Sequence, residues 1–243
     1  TLQGQLNGFN INSIPANTDS LDYEIVLNEA IAIVAKSDTV IPTINVAANL
    51  KDIDSINNLH DRILVAKVGL VEDSIIQKSK KRGAIVARAI INYAASDNFL
   101  NVKTLSYTVP PRDANHLWYW APTDVGHPNP AEPYWGLMRT FTLTTSNQFE
   151  IPQSVLFSTD TSSAFGRQAR EVYNTVNSRT AEQNDIVVWW RDATGTQTPA
   201  GHWMGMLKYI FHLKNYKLDK ALELYVLTSV TTSDAFISCW DAK

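Results

Sequence analysis

Cysteine is nearly absent: Cys239 is the single one in 243 residues. One thiol forms no internal disulfide, and it excludes any cysteine-rich zinc module. Long apolar runs are missing too. The stretch from Ala84 to Ile91 is interrupted at Arg88 and falls far short of the ~20 residues a membrane helix needs, so no membrane span is expected. Neither sign of charge dominates. Twenty-one Lys and Arg against 24 Asp and Glu leave a formal net charge of -3, which offers no field for nucleic acid or an anionic membrane. No GxSxG, P-loop or GxGxxG occurs. The five histidines contain no HxxxH or HExxH pair, so ligand spacing predicts no metal site. What is present is 44% hydrophobic and 10% aromatic residues, enough for a folded chain with a sizeable core, as one large domain or two small ones.

Helical periodicity dominates both ends. Between Leu21 and Lys36, Ile25, Val26, Ala30, Ile33 and Val34 recur at three- and four-residue steps, with Asp19 or Ser20 as the expected cap. Pro42 breaks the pattern. A second helix is predicted over Ile53 to Lys67 and a third over Glu72 to Ser96; Gly83 inside the third costs about 1 kcal/mol against Ala and points to close packing. Further helices are predicted over Ser163 to Asn177, from a capping box at Thr180 and Gln183, from Thr198-Pro199, and from Asp219 toward Trp240. The fold class is all-α, a helical bundle, with residues 1–20 as a flexible lead-in and 21–243 as the helical part.

The middle differs. Tyr107 to Phe149 holds six of the ten prolines and three of the seven tryptophans (Trp118, Trp120, Trp135). Proline at this density forbids a continuous helix, and tryptophan at this density argues against disorder. The expectation is a long irregular arm between the helices, held by buried aromatic anchors, with a short strand near Arg139 to Thr144.

The charged and aromatic clusters have ordinary readings. Lys78, Lys80, Lys81 and Arg82 lack interleaved aromatics and read as a solvated helix face. Trp189, Trp190 and Trp203 flank the polar segment 191–196 and read as core. His116 and His127 lie in the arm, His202 and His212 on one helix. Near the end, Asp234, Trp240 and Lys243 are expected to share one helical side. A lysine beside an indole holds an oxyanion or snorkels to solvent, and periodicity alone favours the surface lysine.

Trp240-Asp-Ala-Lys243, preceded by Asp234-Ala-Phe-Ile-Ser-Cys239, resembles the start of the first active-site motif of vanadium-dependent haloperoxidases, which belong with the type 2 phosphatidic acid phosphatase superfamily. Phe165-Gly-Arg-Gln-Ala-Arg-Glu-Val-Tyr173, Trp189-Trp190-Arg191-Asp192 and Thr198-Pro199-Ala-Gly-His202-Trp203 are similar to bacterial haloperoxidase-related proteins. So are Asp97, Tyr107-Thr-Val-Pro110-Pro111, Trp120-Ala-Pro122-Thr123 and Trp135-Gly136. The order of these motifs along residues 20 to 243 carries the resemblance.

The resemblance implies that Lys243 binds an oxyanion, Trp240 walls its pocket, and Asp192 is a supporting carboxylate paired with an oxyanion-binding arginine. It implies vanadate as cofactor, in the complete protein only and if that is a haloperoxidase, and it assigns no role to His202. The motif continues in the family with six residues and Arg-Pro, then a Pro-Ser-Gly-His motif and a Ser-Arg segment with the vanadium-ligating or phosphate-attacking histidine. None of these follows Lys243 here. One lysine does not assemble an oxyanion pocket, so this chain alone is expected to be inactive, the N-terminal helical half of a haloperoxidase-like or phosphatase-like enzyme. Its expected partner is the absent C-terminal half, or another copy, docking on an apolar patch along the last helix. Export follows by resemblance. The rival reading is a non-catalytic helical scaffold that has lost the site.

Overall fold

In the computed structural model, the periodic segments become helices within about a turn of their expected bounds. The structure describes residues 6–37, 50–123, 125–126, 128–193 and 195–243. Pro42, His127 and Thr194 lie outside them. The α-helices are α1 (Tyr23–Ala35), α2 (Leu50–Val65), α3 (Asp73–Ala94), α4 (Phe99–Val102), α5 (Ala164–Asn177), α6 (Ala181–Trp190), α7 (Thr198–Lys214) and α8 (Leu218–Ala242). Among the described residues no strand forms, and the fold is all-α. No helix among them is long and apolar enough to cross a membrane.

Chain contacts define two compact units, Thr1–Leu105 with Leu137–Thr142, and Ser106–Gly136 with Leu143–Lys243. In the first, α1 packs along α3 and against α2. Ile25 and Ala87 are fully buried, and Ala30, Ala32, Ile76 and Ala89 are buried as well. Small side chains at one helix face let two backbones approach closely. Gly83 is the extreme case: a Cβ there would lie 2.6 Å from Glu29 Cβ and 2.7 Å from the Val26 carbonyl oxygen.

The cap of α1 is Asp22, not Asp19 or Ser20. Its carboxylate accepts from the Glu24 and Ile25 amides at 2.9 and 3.2 Å, satisfying donors the first helical turn leaves open. Asp19 instead pairs with Lys78 at 3.1 Å. Asp22 also receives Lys67 Nζ at 2.9 Å. Burial pushes the Asp22 carboxyl up, but the Lys67 hydrogen bond and the two amides outweigh it and hold it below its ordinary 3.8. Hydrogen bonds to Glu24 and Asp22 raise Lys67 above 10.5. A lowered carboxylate stabilises the fold above its unfolded value and loses that contribution as pH falls through the folded value; a raised lysine is fully stabilising below 10.5 and loses it as pH rises. Asp22→Ala is therefore expected to lower stability by about 1 kcal/mol at neutral pH, with the gap to wild type closing in acid. Urea midpoints at pH 7 and pH 3 check this; an equal gap at both values refutes it.

The strand expected near Arg139 to Thr144 is absent because its backbone groups have other partners. The Arg139 amide donates to the Asp97 carbonyl at 2.9 Å, and the Phe141 carbonyl accepts from the Asn7 amide at 2.7 Å. The Arg139 guanidinium stacks 3.8 Å from the Tyr93 ring centroid and donates to the carbonyls of Asn7 and Tyr93 at 2.9 and 3.0 Å. Arginine's planar fork suits this combined stacking and bonding.

In the second unit the capping box of α6 forms as read, with Thr180 and Gln183 bonding reciprocally. Helix α7 packs on α8. Helices α5 and α6 bury none of their residues. Exposed apolar side chains accumulate on α5 to α7, among them Tyr173, Val188, Trp189, Tyr209 and Leu213; α8 adds Leu218, Val226 and Leu227. The exposed apolar surface is thus broader than the last helix alone. The arm is irregular, but none of its three expected anchors is buried: Trp118 is 58% and Trp120 40% exposed, and Trp135 is half-buried. Trp118 still packs in a ring cluster with His116, Tyr119 and Phe157.

Candidate functional site

Two side-chain clusters of the second unit carry chemistry, and they line different cavities. The first lies at the end of α8. Trp240 Nε1 donates to the Ala131 carbonyl at 3.1 Å, which fixes the indole against the arm. Lys243 Nζ stands 4.9 Å from the Trp240 ring centroid, within reach of a cation–π attraction. Gly136 makes a second attachment: a Cβ there would stand 2.7 Å from Asp241 Cα, so only glycine permits that approach. Tyr134 donates to the Ser106 carbonyl at 2.9 Å and meets the Tyr107 ring edge-on at 5.8 Å. The arm and the helix end enclose a cavity of about 390 Å³, lined by Tyr107, Trp120, Asn129, Pro130, Trp240 and Lys243 among others.

Asp234 does not share this side of α8. It is buried and accepts from the Leu143 amide at 3.2 Å. The reason is helical arithmetic: at about 3.6 residues per turn, nine positions make two and a half turns and place residues 234 and 243 on opposite faces.

The second cluster joins Asp192 to α7. Asp192 follows α6 with φ 42°, in the left-handed region, which aspartate tolerates better than most residues. Its carboxylate oxygens stand 2.9 and 3.1 Å from Nδ1 of His202. His202 is buried, stacked on Trp190 at 5.2 Å and edge-on to Trp189 at 5.0 Å. Both tryptophans remain more than half exposed and Trp203 is 50% exposed, so the core reading holds for none of the three. A cavity of about 310 Å³ opens here, lined by Asp185, Val188, Trp189, Thr196, Gln197 and the Asp192–His202 pair.

Of the three expected site residues, Lys243 and Trp240 come together and Asp192 stands with His202 at the other cavity. Histidine 202 had no pattern around it to mark it, since its partner is ten positions away across a loop. Tyr107 and Trp120 were within motifs that carried the resemblance, but neither periodicity nor spacing assigned them to a cavity wall.

Fold and cavity define an all-α protein with a lysine among the residues that line a partly aromatic cavity. No family profile matches the sequence, and no curated protein matches it. Among solved structures, one described as the first bacterial vanadium-dependent iodoperoxidase superposes on 100% of this chain with a TM-score of 0.81 and 28% sequence identity. The chain spans 57% of that protein's length. This likeness bears out the relationship to bacterial vanadium-dependent haloperoxidases read from the motifs.

Proposed function

We propose that this chain is the helical part of a vanadium haloperoxidase-like enzyme and that Lys243 supplies one of the cations of its oxyanion pocket. The observation that carries the reading is Lys243 Nζ beside the Trp240 ring at the cavity of the arm, in a chain whose fold follows a vanadium-dependent iodoperoxidase over its full length. An ammonium group with aromatic walls fits one edge of vanadate. A lysine is a compact point charge with three donors, and a wall of low polarity strengthens its attraction for an anion.

Lys243 would hold vanadate, and Trp240 would wall the pocket and keep the lysine in place. Vanadate, when bound, supplies the activation of peroxide for oxidation of a halide. The proposed task of Asp192 is supporting: its pairing with His202 orders the loop that joins α6 to α7. One lysine would leave most of the charge of such an oxyanion unmatched. The remaining donors are proposed to come from the rest of a longer protein, so the 243-residue chain alone should not oxidise halides. The exposed apolar faces of α5 to α7 are the surface proposed to receive that remainder. Export belongs to the same proposal and rests on resemblance.

The test uses the intact protein as its native source makes it. Vanadium-51 NMR is expected to show vanadate binding there, and Lys243→Ala to weaken it by roughly tenfold, the loss of one charge-assisted hydrogen bond. Peroxide-dependent halide oxidation should accompany binding and be absent from the chain ending at Lys243. Unchanged vanadate affinity in Lys243→Ala would overturn the assignment.

A further inference from the structure

Lys243 serves an oxyanion only if its ammonium stands where the anion's oxygens are, and a helix end does not fix that by itself. A helix held at a single point still turns about its axis or slides along it. Helix α8 is held at two levels within the second unit. Asp234 accepts from the Leu143 amide at 3.2 Å. Six positions later, Trp240 Nε1 donates to the Ala131 carbonyl at 3.1 Å. At about 1.5 Å of rise and roughly 100° per residue, these ties stand about 9 Å apart along the axis and about 120° apart around it. Together they oppose both rotation and sliding.

The tie at Ala131 needs the arm to lie against the last turn of α8, and Gly136 permits it. A Cβ on residue 136 would stand 2.7 Å from Asp241 Cα and 2.9 Å from both its amide nitrogen and its Cβ. Two of these three are backbone atoms, which yield only if the helix end moves. The backbone of residue 136 does not itself call for glycine, because its φ lies outside the left-handed region. The close approach is therefore the reason for it. The same segment is held at Tyr134, whose hydroxyl donates to the Ser106 carbonyl at 2.9 Å. Pro130 and Pro133 restrict the chain on either side of Ala131.

We propose that Gly136 is a positioning residue for the oxyanion site. By letting the segment 131–136 lie against α8 at Asp241, it sets the place of Trp240 and, through it, of the Lys243 ammonium 4.9 Å from that ring. The proposal deepens the oxyanion reading of Lys243 and rests on it. Gly136 touches neither the anion nor a reacting atom; it acts through α8. A charge-assisted hydrogen bond to an anion is made close to ~2.8 Å, so a small displacement of the ammonium weakens it. Groups that orient a ligand-binding residue typically change affinity by about 10- to 100-fold when lost. Here the loss has an upper bound, since a residue acting through Lys243 costs no more than Lys243 itself.

Vanadium-51 NMR on the intact protein measures vanadate affinity in four forms: wild type, Gly136→Ala, Lys243→Ala and the double variant. Gly136→Ala is expected to weaken binding about fivefold, within the roughly tenfold loss of Lys243→Ala, and to cost nothing further where Lys243 is already alanine. Gly136→Val should come nearer to the full loss, because a larger side chain moves α8 further. A second readout needs no vanadate. Deuterium exchange of the Trp240 indole N–H, its NMR signal assigned by its absence in Trp240→Phe, should be faster in Gly136→Ala as the bond to Ala131 opens. Circular dichroism verifies folding. If Gly136→Ala does not fold, Tyr134→Phe takes its place in the cycle, with a loss of about twofold expected from the loosened segment; no loss there refutes the proposal. Wild-type affinity and unchanged Trp240 exchange in a folded Gly136→Ala, beside a weakened Lys243→Ala, would overturn the positioning role and leave the oxyanion reading intact. An equal loss in both Lys243 backgrounds would show a general structural defect and refute the role as well. Unchanged affinity in Lys243→Ala would overturn the oxyanion reading and this proposal with it.

Discussion

Asp192→Ala is expected to destabilise the second unit by about 3 kcal/mol, from two separable losses. The first is the acceptor for His202 Nδ1, which is bonded to both carboxylate oxygens and sits on a buried ring. Leaving a buried donor unsatisfied costs about 1–3 kcal/mol. The second loss is conformational. Position 192 has φ 42°, where an L-residue with a plain Cβ is disfavoured by roughly 1–2 kcal/mol. Two companion variants divide these terms. Asp192→Asn keeps an acceptor and tolerates the left-handed backbone, so it should lie within about 1 kcal/mol of wild type. Asp192→Gly keeps only the backbone freedom and should fall between. All seven tryptophans lie in the second unit, and Trp189 and Trp190 pack directly on His202. Tryptophan fluorescence during urea unfolding therefore reads this unit, and the expected order of midpoints is wild type, Asn, Gly, Ala. An alanine variant as stable as wild type would mean that the Asp192–His202 bond contributes nothing to the fold.

Gly83→Ala should have the largest effect in the first unit, against the direction that helix propensity alone dictates. In an open helix the change would gain about 1 kcal/mol. Here the new methyl would meet Glu29 Cβ at 2.6 Å and the Val26 carbonyl at 2.7 Å. These are backbone and near-backbone atoms of α1, so α1 and α3 must separate, and the move disturbs the fully buried Ile25 and Ala87. Overpacking of this kind costs about 1–3 kcal/mol, sometimes more, and exceeds the propensity gain. A net loss of about 2 kcal/mol is expected for Ala and more for Leu. Glu29 also bonds His60 Nε2 at 2.9 Å, so the displacement should reach α2 as well. Calorimetry and amide exchange on α1 and α3 check this. A Gly83→Ala variant more stable than wild type would show that the two helices have slack the structure does not display.

The local signals were legible because helices depend on near neighbours. Apolar residues at three- and four-residue steps, the reciprocal Thr180 and Gln183 cap, and Pro199 in the first turn all involve groups a few positions apart. Gly83 was legible as a close approach, since glycine inside a long helix is unfavourable unless something requires it. The cap of α1 was misplaced by two or three residues because serine and aspartate at 19, 20 and 22 all suit a cap. Lys67, 45 positions from Asp22, and Ser79, whose hydroxyl accepts from the Asp22 amide, are contacts that only tertiary packing supplies.

The motif around Trp240 and Lys243 was visible as a resemblance, and by itself the sequence determined an all-α chain with a proline-rich interruption and a lysine one turn beyond a tryptophan. Only the tertiary structure decided what faces that lysine. The arm residues Tyr107, Trp120 and Pro130 lie more than a hundred positions away in sequence, and no periodicity links segments across such a loop. It was also tertiary structure that paired His202 with Asp192, turned Asp234 toward Leu143, and left Trp118 and Trp120 exposed. A hydrophobic pattern states that a ring prefers burial; whether burial is achieved depends on which other surfaces arrive to cover it.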